Sequence, residues 1–130
     1  MVGIRLLRMS AIYLMVGLVL GLAMGISGDF LLMSVHAHLL LLGWAAMAVT
    51  GITYTLLPQC SGNRLAALHF WGHNLGLPVM MVCLALQSYG NSQAEPGIAG
   101  GSILVTLSLA MFTVNLFRSP AQARSSGESA

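Results

Sequence analysis

Four apolar stretches alternate with short polar breaks along the 130-residue chain. They run from about 9 to 28, 30 to 57, 64 to 86 and 96 to 117. Each has about the 20 residues needed to cross a bilayer, and they predict helices one to four of a single transmembrane domain over 1–118. The breaks are rich in turn formers: Gly28 and Asp29, then Pro58 to Asn63, then Gln87 to Glu95. A secretory signal has an apolar core of only about 7–15 residues. The first stretch is longer and lacks a cleavage site, so it reads as a membrane helix. Gly17, Gly21 and Gly25 recur four apart in helix one, and Gly72 and Gly76 do so in helix three, a spacing that favours close helix approach. Pro78 predicts a kink in helix three, and Pro96 suits the first turn of helix four. Residues 119–130 are small and polar and predict a disordered cytoplasmic tail.

Composition narrows the class. Hydrophobic residues make up 57% of the chain and charged residues 6%, with a mean hydropathy of +0.86. Soluble domains carry about 25% charged residues, so an all-α membrane protein is the expectation. A net charge of +2 is too small for a nucleic-acid binder. Arg5, Arg8, Arg64, Arg118 and Arg124 fall on one side of the four-helix topology, and Asp29 and Glu95 on the other. The positive-inside rule then predicts both termini in the cytoplasm and a multi-pass protein of the cell's inner membrane.

The four histidines carry the candidate chemistry, because ionisable side chains at membrane depth are costly and usually functional. His36 and His38 sit six to eight residues into the predicted helix two, about 9–12 Å below its outer end. Positions two apart on a helix point about 200° apart, so one regular helix cannot aim both at one metal, but it can serve a centre on each flank. His69 and His73 are four apart on helix three and share a face. That pair can hold a second metal, or can pack and hydrogen-bond with help from Trp71 and Asn74. Counting from the shared loop places His73 level with about Met47, roughly 13 Å in height from His38. Cys60 and Cys83 are too far apart for a disulfide, and neither lies in a CxxCH motif, which excludes covalent haem. The nine methionines are scattered as apolar filler.

Val35-His36-Ala37-His38-Leu39, Gly43-Trp44 and Tyr54-Thr55-Leu56-Leu57-Pro58 resemble a haem-bearing helix of the haem–copper oxidase and nitric oxide reductase catalytic subunits. Leu68-His69-Phe70-Trp71-Gly72-His73-Asn74-Leu75-Gly76-Leu77-Pro78 resembles the helix that follows it there, above all in C-type oxidases. The likeness covers helices two and three, about half the chain. That family builds a ring of three four-helix arcs. The resemblance therefore implies one arc per chain and a homotrimer as the favoured assembly. It implies non-covalent haem b, with His36 of one copy and His38 of its neighbour as axial ligands and Trp44 packing on the haem. Copper ranks second as a cofactor.

With both axial positions filled, a haem exchanges electrons rather than binding gas. The leading expectation is a b-type haem protein in electron transfer, with a quinone or a cytochrome as redox partner, rather than a complete oxidase. The alternatives are a non-enzymatic accessory or assembly subunit, a haem- or copper-handling protein, and a gas sensor.

Overall fold

The computed structural model describes residues 1–119, which are helical with no strand among them. The rest of the predicted tail, Arg124 included, lies outside the described residues.

Helix one spans Val2–Ser27, starting seven residues before the apolar stretch did. Nothing in its first turns breaks a helix, since Ile, Leu and Arg all propagate one well. Hydropathy marks where lipid begins, and the helix simply continues past that level with Arg5 and Arg8 exposed. Gly28 ends it in the left-handed conformation (φ 70°), donating its N–H to Met24 O at 2.9 Å.

Helix two spans Met33–Leu56 but changes character on the way. Met33–His38 and Met47–Leu56 are α-helical, whereas Leu39–Ala46 is eight residues of π-helix. Such wide turns are rare and recur at functional sites. Pro58, which has no N–H to donate, stops the helix and opens a single turn over Pro58–Ser61. Helix three spans Arg64–Ser88 and begins at the Asn63 cap, whose Oδ1 accepts from Ala66 N at 3.0 Å. It continues through Pro78 as one helical element, so the expected kink is no interruption. A 3₁₀ turn over Ser92–Ala94 leads into helix four, Glu95–Arg118, with Pro96 in its first turn as the sequence predicts.

Three of these helices are long and apolar enough to cross a membrane: helix one, helix two, and helix four together with its 3₁₀ turn. Helix three matches them in length at 25 residues, but Arg64, His69, His73, Asn74 and Gln87 dilute its hydropathy. Large apolar side chains cover the outside. Leu22, Val82 and Ile103 are 66%, 60% and 61% exposed. Such surface suits lipid, in which it costs nothing to leave uncovered.

The bundle consists of two tight hairpins joined more thinly. Helix one runs along helix two, and helix three along helix four. Glycine lets the backbones meet. A Cβ on Gly101 would stand 2.7 Å from Met80 N and 2.8 Å from Gly76 O, so helices three and four touch there through backbone. Between the hairpins, helix three meets mainly the N-terminal turns and π segment of helix two, with a smaller contact to helix one.

Candidate functional site

His36 lies in the first turn of helix two and turns toward helix one. Its Nδ1 is 2.9 Å from Gly17 O. The ring lies against Gly21, where a Cβ would come within 2.6 Å of His36 Cε1. Gly21, expected to admit a neighbouring backbone, thus admits an imidazole, and Gly17 admits the Leu40 side chain; Gly25 meets nothing within 4 Å. His38 points elsewhere, with Nδ1 2.7 Å from Ser34 O of its own helix. Because helix two starts at Met33, the pair stands about 5–8 Å from its N-terminal end, closer to it than the apolar run implied.

The two rings share one chemical feature. A carbonyl oxygen only accepts, so the nitrogen facing it must carry the proton. Nδ1–H donates to Gly17 O in His36 and to Ser34 O in His38. Each Nε2 then keeps its lone pair. A backbone carbonyl on one ring nitrogen is the usual support for a histidine whose other nitrogen binds a metal.

Apolar grooves flank helix two on both sides. One, of about 650 Å³, is walled by Val35 and Leu39 with residues of helices one and three such as Leu20, Ala23 and Met81. The other, of about 420 Å³, is walled by Leu41, Leu42 and Ala45 with Leu109 and Phe112 of helix four. Neither histidine lines a groove itself; Val35 and Leu39 flank His36 in sequence, and Leu41 and Leu42 follow His38 by three and four residues. Trp44 lies in the π segment with its side chain 42% exposed.

The second histidine pair is built differently. His69 and His73 are both 0% exposed, with ring centres 5.7 Å apart. His73 Nε2–H donates to Leu42 O at 3.0 Å, which ties helix three to the π segment. His73 Nδ1 and both nitrogens of His69 have no hydrogen-bond partner, and neither has Tyr54 Oη. Tyr54 and Phe112 enclose His69, with ring centres at 5.7 and 5.4 Å. Next to them Asn63 Nδ2 donates to Asn115 Oδ1 at 2.6 Å, and Asn115 Nδ2 donates to Cys60 O at 2.8 Å, closing the start of helix three and the end of helix four onto the loop. Trp71 and Asn74, expected to bridge helices, do not; Trp71 is 59% exposed and Asn74 Nδ2 donates to Phe70 O in its own helix.

The bond to Leu42 corrects the height of His73. It lies level with Leu42 rather than Met47, so about one helical turn separates it from His38 instead of 13 Å. Loop counting treats both helices as regular rods with side chains at Cα height. Here helix two is wound wider over Leu39–Ala46, and its carbonyls point toward its C-terminal end, where a side chain of helix three meets one of them. Sequence reading also passed over Tyr54, Phe112 and Asn115. A Tyr within a TYTLLP run and an Asn in an apolar helix were the available signals.

Cys60 and Cys83 are both free thiols. Among the described residues no group of three or more His, Cys, Asp or Glu side chains converges on one point. Neither a family model, a curated protein nor a solved structure matches the chain.

Proposed function

We propose that this chain is a four-span membrane protein, both termini cytoplasmic, that binds haem b through His36 and His38 and carries electrons. The observation behind this reading is the shared tautomer. Two histidines on the lipid-level turns of one helix each commit Nδ1–H to a carbonyl and leave Nε2 free. Histidines on different flanks of one helix suit two different irons, each completed by a second copy of the chain. Apolar grooves run along both flanks of helix two, walled by sequence neighbours of the two histidines. A closed trimer would pair His36 of each copy with His38 of the next, in the manner of the haem–copper oxidase ring whose helix this one resembles.

Bound haem would supply one-electron exchange at its iron, and bis-histidine ligation leaves that iron no open position for a gas. The residues of the chain hold the rings in orientation. Gly21 leaves room for the His36 ring, and the Gly17 and Ser34 carbonyls fix the tautomers. A quinone or a cytochrome is the class of redox partner that fits a lipid-embedded carrier.

A reduced-minus-oxidised spectrum of the detergent-purified protein, with pyridine haemochrome for stoichiometry, tests the reading. One low-spin b-type haem per chain, indifferent to carbon monoxide, is the expected result. A carbon-monoxide-sensitive haem would replace electron transfer by gas chemistry. Absence of haem after supplementation would overturn the assignment.

A further inference from the structure

The buried cluster of His69, His73 and Tyr54 takes no part in the haem reading, yet its polar atoms are left without partners. Both nitrogens of His69, Nδ1 of His73 and Tyr54 Oη all lack a hydrogen bond, in side chains at most 2% exposed. Buried polar groups are ordinarily satisfied, and at membrane depth no bulk water is at hand to do it. We infer that His69, His73 and Tyr54 form an intramembrane binding site for a transition-metal ion of the class that neutral imidazole holds, such as zinc or copper.

Three observations support this. The first is spacing: histidines four apart on a helix reach the same point, as in metalloprotease helices. The second is ring separation. A metal–nitrogen bond of about 2.0–2.1 Å puts each ring centre roughly 3.2 Å from the ion, so two rings around a near-tetrahedral ion stand roughly 5–6 Å apart. Those of His69 and His73 are 5.7 Å apart, edge to face. The third is the tautomer of His73. Its Nε2–H is bound to Leu42 O, which leaves Nδ1 with a lone pair and a backbone support for it. The Tyr54 ring of helix two lies 5.7 Å from that of His69. The proposed set is two imidazole nitrogens from helix three, with the Tyr54 phenol oxygen of helix two as a third donor.

A cleft of about 120 Å³ at the end of the bundle is lined by Gly3, Tyr54, Pro58 and Ser61. It touches Tyr54 on the side of the polar loop. On the far side Phe112 of helix four closes the cluster and also lines the groove between helices two and four.

The test uses the full chain carrying His36→Ala and His38→Ala, so that the other histidine pair cannot compete. After chelator treatment the protein is titrated with Co²⁺, whose visible d–d absorption reports coordination. One Co²⁺ per chain with the absorption of a four-coordinate site, displaced by Zn²⁺, is the expected result. Adding His69→Ala or His73→Gln should weaken binding at least about tenfold. Tyr54→Phe keeps the ring packing and should also weaken it, with a changed spectrum. His73→Gln and Tyr54→Phe keep the test decisive if His69→Ala does not fold, as judged by helical circular dichroism. No Co²⁺ bound in this background, or binding unchanged by all three substitutions, overturns the site and leaves water as its occupant. Because the background lacks both haem histidines, the outcome is independent of the haem reading.

Discussion

The two histidine pairs are the same residue at different spacings, and the structure treats them as opposites. His36 and His38, two apart, point to different flanks, and each is anchored by a backbone carbonyl at Nδ1, which leaves Nε2 unused. His69 and His73, four apart, face one buried point, and of their four nitrogens only His73 Nε2 is bonded. An i,i+2 pair on a helix distributes its ligands, whereas an i,i+4 pair concentrates them. The first arrangement needs another molecule to complete each centre. The second can be completed within the chain.

The largest effect comes from removing the distributed ligands themselves. His36→Ala and His38→Ala should each abolish haem retention, whereas His69→Ala and His73→Ala should spare it. Haem spectra of the four variants check this, and the reverse pattern would exchange the roles of the two pairs. Next comes the hairpin that carries the concentrated pair. Gly101→Leu would drive a side chain into Met80 N and Gly76 O and should destabilise the helix three–four hairpin by about 1–3 kcal/mol. Denaturant titration in mixed micelles would read it.

Gly21→Ala acts on the support rather than the ligand. Its methyl would press on the His36 ring and disturb the bond to Gly17 O. Haem affinity should fall about 10–100-fold with the helical fold intact, the cost typical of losing a supporting partner. An equal loss of fold and haem would mean that His36 is merely packed there. The smallest effect belongs to Asn115→Ala, which removes bonds to Asn63 and Cys60 O. Hydrogen bonds inside membrane proteins average about 0.6 kcal/mol and reach about 1.7, so a loss of about 1 kcal/mol in the same titration, with haem unchanged, is expected.

Much of this architecture was legible in the residues. Apolar runs separated by turn formers located all four helices, because chain breaks at Gly28 and Pro58 are decided locally by φ freedom and the missing N–H. The start of helix one was misplaced because a hydropathy edge is a property of lipid and not of the hydrogen-bond ladder. Of the site, the distinct aims of His36 and His38 followed from spacing alone. The partners of each ring did not, since Gly17 O and Leu42 O are backbone atoms that no residue type advertises. The π segment was equally hidden. LLLLGWAA is an apolar run that an α-helix would carry just as well, and in the fold it contacts helices one and three. The involvement of Tyr54 was lost for the same reason, because a ring near the end of a span looks like an interfacial anchor until helix three is placed beside it.

The wide coil between His38 and Met47 has a further consequence, for how this protein tolerates insertion and deletion. Each residue in an α-helix turns everything beyond it by about 100°. A stretch with one residue more per turn is therefore a phase adjuster. It lets the outer tip of helix two face one way while Thr50 and Tyr54 at the other end face inward. Deleting one residue within Leu39–Ala46 would let the coil revert to ordinary winding with little change in the rest of the chain. Inserting one elsewhere in the helix would misalign both ends. The eight residues thus act as a slip joint, and drift in length should be tolerated there and nowhere else along the span.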